Sequence, residues 1–293
     1  MSEEKNAASA KQAVSLQEFQ QFQLSILNEF MRVCEKHDLT WWLGFGTLLG
    51  AARHDGFIPW DDDIDIIRPS DDYLKFREAC RKSLSKEYYL QSHEDNPCNF
   101  IDWERIGVKN TTSLPLEYAT IHAEWGVCLD VFPAYPFPAP GHPDREKKKK
   151  QIENFKRLSA KYLYRHEAPQ QESLARKMYY RLMGCMPDGM NVALWKRFER
   201  DLLIPFDTSV YDAVATGYGT FVSYPASAFS ETVLLPFEGM QLPAPVGYKE
   251  ILATFYGEDW MELPPEEKRV CHSGGGSDEV IVSLTEPYEQ YLK

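Results

Sequence analysis

The chain lacks the features that mark membrane-spanning, secreted and zinc-binding proteins. None of its apolar runs approaches the roughly 18 residues that a membrane-spanning helix requires. The first residues, MSEEKNAASAKQAV, contain no apolar segment of the kind found in secretory signals. The six cysteines form no Cys-x-x-Cys pair, and their spacing indicates neither a disulfide framework nor a structural zinc site. These absences predict a cytoplasmic protein with reduced thiols.

Positive charge is also scarce. The 32 Lys and Arg residues are outnumbered by 44 Asp and Glu, which gives a formal net charge of −12. Nucleic-acid-binding proteins generally present a basic face, so we expect no nucleic-acid partner. One exception is the basic run that begins with REKKKK and extends over residues 145–165. This run is either a solvated helix face or a patch for peripheral association with the anionic inner face of a membrane.

The N-terminal half of the chain reads as a tail followed by a core of mixed structure. Residues 1–14 are polar and small, which predicts a disordered tail. A capping box at SLQE (15–18) begins the first helix. Short strand patterns then alternate with helix patterns, which predicts a catalytic core over residues 15–135.

A proline-rich connector, FPAYPFPAPGHP (132–143), marks a change of character. Three helical stretches follow it, which indicates a helical segment over residues 144–204. The C-terminal part, residues 205–293, contains a predicted hairpin around Glu238-Gly239. We expect this part to complete the active site.

The stretch GFIPWDDDIDII (56–67) places carboxylates where its aliphatic neighbours favour burial. Asp63 and Asp65 alternate with isoleucines, as in a half-buried strand whose alternate side chains share one face. Two carboxylates on that face, about 6.6 Å apart along the backbone, would repel each other unless a cation lay between them. Mg²⁺, with Mn²⁺ as the alternative, prefers oxygen ligands and leaves positions open for phosphates. The stretch therefore predicts a metal site rather than a solvated acidic edge.

Two other metal-binding patterns share these aspartates. A calcium loop that begins at Asp61 requires glycine at its sixth position and glutamate at its twelfth. The chain has Ile66 and Asp72 at those positions, so a calcium loop is excluded. The Asp-x-Asp motif of sugar-nucleotide glycosyltransferases is satisfied by Asp63 and Asp65, so that class of enzyme stays open.

The residues upstream favour a nucleotidyltransferase-type site. A predicted strand (40–46) ends at Gly46, and Thr47 would open a helix over residues 47–54. A glycine at this turn lets the backbone approach a phosphate closely, and a helix N-terminus supplies amide donors. Such a site needs a further carboxylate from a later strand, and Asp130 in CLDVF is the best candidate.

Several segments together resemble the LicD family of phosphocholine transferases, which includes relatives of fukutin and the fukutin-related protein. They are LGFGTLLGAARHDGFIPWDDDIDI (43–66), ERIGVKNTT (104–112), CLDVFP (128–133) and a C-terminal segment (235–272). The resemblance implies an α/β (α+β) fold with a nucleotidyltransferase-like mixed-sheet core, a helical segment and a C-terminal extension. It also implies transfer of phosphocholine from CDP-choline to a hydroxyl of a cell-surface glycan or glycolipid precursor, with release of CMP.

The resemblance also assigns roles to individual residues. Asp63 and Asp65, with Asp130 as the third acid, would hold the metal, and Asp130 or Asp61 would act as general base. The residues expected on the nucleotide and its phosphates are Gly46, Thr47, Arg53, His54, Arg105, Lys109 and Arg269. A choline headgroup is expected on aromatic faces because its nitrogen carries no hydrogen-bond donor. Trp60, which adjoins the aspartates, is the first candidate.

The sequence leaves the transferred group and the reaction class open. Ethanolamine phosphate or a pentitol phosphate, carried by another CDP-alcohol, would use the same kind of site. A glycosyltransferase with an Asp-x-Asp metal site and an inactive scaffold of the same fold are further alternatives. The scaffold is disfavoured because all three expected metal acids are present. The acceptor is expected to be a glycan or a lipid-linked glycan.

Overall fold

The computed structural model describes residues 14–159, 174–203, 210–213, 222–269, 271 and 280–293. The predicted tail lies outside these ranges except for its last residue, Val14. The described helices are α1 (Leu16–Lys36), α2 (Phe45–His54), α3 (Tyr73–Ser83), α4 (Arg145–Ser159), α5 (Leu174–Gly184), α6 (Asp188–Leu203) and α7 (Tyr248–Tyr256). No helix in these ranges is both long enough and apolar enough to span a membrane.

Eleven strands accompany these helices, which confirms the expected mixed α/β fold. They are β1 (Trp42–Leu43), β2 (Asp65–Pro69), β3 (Tyr88–Gln91), β4 (Glu104–Val108), β5 (Thr112–Pro115), β6 (Cys128–Phe137), β7 (Val210–Ala213), β8 (Ser223–Pro225), β9 (Thr232–Phe237), β10 (Met240–Pro245) and β11 (Val280–Ser283). Seven strands form the main sheet, in which β1-β2-β6-β4-β3 are consecutive neighbours and β7 pairs with both β6 and β8.

The long strand β6 connects three parts of the main sheet. Its first half pairs with β2 in parallel and with β4 in antiparallel orientation, and its second half pairs with β7. The sequence placed a proline-rich connector from residue 132 onwards, but the strand continues through Pro133 and Pro136 as far as Phe137. Proline fits here because its fixed φ is compatible with extended backbone and only its N–H is lost from the ladder.

The first helix begins where the capping box predicted. The Ser15 hydroxyl accepts a hydrogen bond from the Glu18 N–H, and the Glu18 carboxylate accepts one from the Ser15 N–H. One face of α1 is apolar and buried against the sheet, whereas the other is polar. The same helix also reaches the aspartate stretch, because the Gln20 side-chain amide donates to the Asp61 carbonyl at 2.7 Å.

The predicted hairpin is confirmed by β9 and β10, which are joined through Glu238 and Gly239. Both turn residues have positive φ, 49° and 78°, as a two-residue turn that matches the strand twist requires. The Glu238 carboxylate accepts a hydrogen bond from the Phe57 N–H at 3.1 Å. The hairpin therefore holds the start of the aspartate stretch, and α1 holds its middle.

A buried ion-pair network joins the helical segment to the core. Arg77 on α3 is 2% exposed; its Nε donates to the Glu104 carboxylate of β4 at 2.5 Å and its Nη1 to Glu199 of α6 at 2.7 Å. The guanidinium also lies over the Trp195 ring, with its carbon 4.9 Å from the ring centroid. Burial raises the pKa of both carboxyls. The arginine thus supplies the positive charge that two buried acids share.

Arg77→Met is expected to lower the free energy of unfolding by about 3–5 kcal/mol, because it leaves two buried carboxylates without their cation. Arg81→Met is the matched control: it lies one turn later on α3, is 37% exposed and pairs with Glu94 and Asp95. The control should cost about 0–1 kcal/mol. Urea denaturation measures both values. Equal losses in the two variants would contradict the role given to Arg77.

Candidate active site

A cavity of about 1500 Å³ opens where β2 and β6 begin, and the predicted carboxylates line it. Asp65 and Asp130 are paired residues on these two neighbouring parallel strands, so their side chains leave the same face of the sheet. Asp63 and Asp61 precede β2 and line the same cavity. The structure thus brings together all four aspartates that the sequence nominated as catalytic.

The backbone around Asp65 is fixed by the start of α2. The Asp65 N–H donates to the Thr47 hydroxyl at 2.8 Å, and its carbonyl accepts from the Gly44 N–H at 2.9 Å. Thr47 is buried and does not line the cavity. Thr47, expected on a phosphate, therefore positions Asp65 instead.

Gly46 occupies the closest approach between α2 and the carboxylates. Its N–H donates to the Asp65 carboxylate, and a Cβ at this position would lie 2.7 Å from Oδ2 of Asp61. Glycine is required here because any side chain would displace an acid of the site. The N-terminus of α2 thus directs a backbone donor and its positive dipole at this cluster.

The electrostatic environment of the acids is strongly unfavourable for their charged forms. Burial and then the negative charge of Asp130 raise the pKa of Asp65 well above its ordinary value. Burial and then Asp65 do the same to the pKa of Asp63. Burial and then Asp65 also raise the pKa of Tyr256, which lines the same cavity. Such a cluster favours any ligand that brings positive charge.

The third predicted metal ligand has protein partners in this structure. Oδ1 of Asp130 accepts hydrogen bonds from the Trp103 indole N–H at 2.8 Å and from Arg105 Nε at 2.5 Å. Across the described ranges, no group of three or more His, Cys, Asp or Glu side chains has an arrangement that could hold a metal ion. The predicted set of three carboxylates is therefore not assembled as a metal cage here.

The chemistry of the site nevertheless fits a divalent cation. Hard cations prefer carboxylate oxygens, which Asp63 and Asp65 supply. The pKa values of both carboxyls are raised, and a bound positive charge would lower them again. These two residues are the ones that would hold Mg²⁺ or Mn²⁺. Asp130 would join them through its other carboxylate oxygen, or through Oδ1 after exchanging its contacts with Trp103 and Arg105.

Three of the five basic residues predicted on the nucleotide line the cavity: Arg53, Arg105 and Arg269. Arg53 Nη1 donates to the carbonyls of Trp260 and Glu262, each at 2.9 Å, and so attaches the loop after α7 to α2. Trp260 and Glu262, from the C-terminal part, also line the cavity.

Two predicted phosphate contacts, His54 and Lys109, lie away from the cavity wall. His54 Nε2 accepts a hydrogen bond from Arg53 Nε, and burial, followed by the charge of Arg53, lowers the pKa of His54. A neutral imidazole so engaged is a poor phosphate ligand. The Lys109 ammonium donates to the Lys86 carbonyl at 2.8 Å. Both assignments stay predictions; the structure places neither side chain on the cavity wall, because proximity in sequence to the motif does not fix the direction of a side chain.

Trp60 lines the cavity but already has a cationic partner. The Arg269 guanidinium carbon lies 5.4 Å from the centroid of its ring. The ring face therefore accepts a cation, and in this structure that cation is Arg269. A ligand cation would have to displace Arg269 in order to bind to the same face.

The sequence reasoning missed a group of cavity-lining residues from distant parts of the chain. Phe45, Phe132 and Phe255 pack together beside the acids, with centroid distances of 5.0 and 5.4 Å from Phe45 to the other two. Lys156 and Arg157 of α4 also line the cavity. Phe45 and Phe132 lie within the segments 43–66 and 128–133, so their positions were a usable signal. No feature of the sequence indicates that α4 lies beside the cavity.

Comparison with known proteins agrees with this arrangement. Residues 38–143, which contain all four aspartates, match the family model described as LicD/FKTN/FKRP, nucleotidyltransferase domain. This part of the chain is a LicD-type nucleotidyltransferase domain. The chain is 28% identical over 263 residues to the lipopolysaccharide cholinephosphotransferase LicD of Haemophilus influenzae, covering 88% of this chain and 96% of that protein. An uncharacterized protein of Rickettsia typhi matches over 86 residues at 36% identity, covering 29% of this chain and 26% of its own.

Asp65→Asn should stabilise the metal-free protein while lowering its activity by at least about 100-fold. The folded-state pKa of Asp65 is raised, so its charge destabilises the fold increasingly as pH rises above the unfolded value of about 3.9. The neutral amide removes that cost and can still accept from Gly46. Thermal unfolding in chelator at neutral pH should show a higher Tm for the variant, and the difference should vanish below pH 3.9. A lower Tm at neutral pH would contradict the electrostatic account.

Proposed function

We propose that this protein transfers phosphocholine from CDP-choline to a hydroxyl of a cell-surface glycan or glycolipid precursor, releasing CMP. The observation that carries the proposal is the convergence of four aspartates and the N-terminus of α2 in one cavity, within a chain similar over nearly its whole length to a lipopolysaccharide cholinephosphotransferase. The donor, the metal and the acceptor named here are parts of the proposal.

The acidic cluster needs a cation before it can admit a nucleotide diphosphate. Asp63 and Asp65 would hold Mg²⁺ or Mn²⁺, which supplies charge neutralisation at the diphosphate and at the leaving oxygen. Arg53 and Arg269 line the same cavity and provide further positive charge for the phosphates. A site with this composition binds a metal–nucleotide complex in preference to the free nucleotide.

The acceptor hydroxyl attacks the phosphorus that carries choline. A new phosphorus–oxygen bond forms to the acceptor as the bond to the CMP oxygen breaks. The hydroxyl proton passes to Asp130, or alternatively to Asp61. Arg105 and Trp103 hold Asp130 in one orientation, which suits a base that must lie within hydrogen-bonding reach of the acceptor.

The size of the cavity supports a reaction between two substrates. Pockets for one drug-sized ligand enclose about 300–1000 Å³, whereas this cavity measures about 1500 Å³. A nucleotide donor and a sugar of the acceptor therefore fit side by side. The aromatic wall formed by Phe45, Phe132 and Phe255 offers apolar faces to either substrate.

One observation favours a different transferred group. Arg269 lies over the Trp60 ring, so the expected choline site holds a guanidinium in this structure. An uncharged alcohol, such as a pentitol, would not compete with Arg269 for that face. A pentitol phosphate carried by CDP is therefore the second candidate, and a sugar-nucleotide glycosyltransferase the third.

Assay of donor specificity separates these candidates. With Mg²⁺ and a suitable acceptor, CDP-choline should yield CMP and a phosphodiester-linked product, whereas a sugar nucleotide should yield no nucleoside diphosphate. Removal of the metal with EDTA should abolish turnover, and added Mg²⁺ or Mn²⁺ should restore it. Mass spectrometry identifies the products. Release of UDP from a UDP-sugar would refute the proposal, and full turnover in EDTA would refute its metal dependence.

Replacement of Trp60 tests the choline site. Trp60→Leu keeps apolar bulk but removes the negative ring face, and should raise the Kd for CDP-choline by about tenfold, or ~1.4 kcal/mol. CDP-ribitol, whose alcohol is uncharged, is the matched control and should be affected much less. Isothermal titration with Mg²⁺ present measures both. Equal effects on the two donors would show that Trp60 does not recognise the quaternary ammonium.

A further inference from the structure

Charge is distributed very unevenly along this acidic chain. Residues 144–204 contain 15 Lys and Arg against 8 Asp and Glu, a formal charge of +7. The remainder contains 17 basic and 36 acidic residues, a formal charge of −19. Any attraction to an anionic surface must therefore act through the helical segment, because the rest of the protein is repelled.

Helix α5, within that segment, exposes an apolar stripe. Leu174, Met178 and Leu182 follow one another at intervals of four residues, so they lie on one face of the helix. They are 88%, 65% and 69% exposed, the three highest values among the large apolar side chains of the described residues. A soluble helix normally turns such a stripe towards the core.

The polar residues of α5 define what the stripe fits. The helix contains three basic residues and no acidic residue. Arg181, one of the three, is exposed beside Leu182. An exposed apolar face bordered by positive charge is typical of helices that lie in the interface of a membrane with anionic lipids. A second copy of this chain would bring the same three basic residues against those of the first, which opposes self-association.

The basic run on α4 is a less suitable membrane contact than the sequence indicated. The Lys148 side chain is buried and donates to the Asp201 carbonyl at 3.1 Å, and Lys156 and Arg157 line the active-site cavity. Residues 160–165 of the predicted patch lie outside the described ranges. The run therefore contributes positive charge, but the apolar residues of its described part, Ile152, Phe155 and Leu158, are buried and not available to a membrane.

We propose that α5 is a membrane-docking helix, which inserts Leu174, Met178 and Leu182 among the headgroups of an anionic bilayer. The basic residues of the helical segment would attract the negatively charged lipid headgroups. At about 1.5 Å per residue the helix extends for about 16 Å, enough to lie in the interface but not to span it. Such docking would bring the enzyme to acceptors that are anchored in lipid.

Vesicle co-sedimentation tests the proposal with the full chain and without any substrate. Wild-type protein should bind vesicles of phosphatidylcholine mixed with phosphatidylglycerol, bind pure phosphatidylcholine at least about tenfold more weakly, and lose binding as salt is raised. The triple variant Leu174→Ser, Met178→Ser, Leu182→Ser should weaken partitioning to the anionic vesicles by about 100-fold. Thermal unfolding of the variant verifies that it is folded.

A matched pair of single variants controls for the general loss of exposed apolar surface. Leu182→Ser should weaken vesicle binding, whereas Leu234→Ser, at a leucine that is 61% exposed on β9, should not. Turnover of a detergent-free, water-soluble acceptor should be the same in both variants, which separates docking from catalysis. Wild-type protein that ignores anionic vesicles would overturn the proposal. So would a triple variant that binds them normally, or one that only converts a dimer to a monomer in size-exclusion chromatography.

Discussion

Asp65 and Asp130 stand opposite each other on adjacent parallel strands, facing a cavity in which Asp61 and Asp63 also lie. Burial and mutual repulsion make this arrangement costly, as the raised pKa values of Asp63 and Asp65 indicate. Much of the surrounding structure serves to hold the acids in place. Helix α1, the N-terminus of α2 and the β9–β10 hairpin each make a hydrogen bond to residues 56–67, the stretch that carries Asp61, Asp63 and Asp65.

The carboxylates of Asp65 and Asp130 are held by different kinds of contact. The backbone of Asp65 has partners on both its N–H and its carbonyl, and its carboxylate accepts from Gly46. Asp130 is oriented by side chains, Arg105 and Trp103, which have rotamer freedom. An arriving cation can replace Arg105 at the Asp130 carboxylate, and a diphosphate can bind Arg105, more easily than either can displace a helix. The state of Asp130 is therefore the part of the site that substrate binding can change.

The helical segment differs from the core in charge but is firmly attached to it. Arg77 joins Glu104 of the sheet to Glu199 of α6 inside the protein, and β6 extends from the active-site acids to β7 beyond them. Lys156 and Arg157 of α4 reach the cavity itself. Charge segregation thus coexists with a continuous packed structure, so that a surface contact made by the segment would orient the cavity as well.

The sequence alone was sufficient to predict structural elements that depend on contacts between residues close together in the chain. The capping box and the Glu238-Gly239 turn predicted a helix start and a hairpin, because each depends on residues a few positions apart. The alternation around Asp63 and Asp65 predicted a strand that carries both acids, whereas β2 begins at Asp65 and Asp63 precedes it. Only the tertiary structure decided that Asp130 pairs with Arg105 and that the Thr47 hydroxyl accepts from the Asp65 N–H. It also decided that His54 and Lys109 do not line the cavity. These outcomes depend on which strands become neighbours and on which partner a side chain meets there, and a linear pattern does not contain those distances.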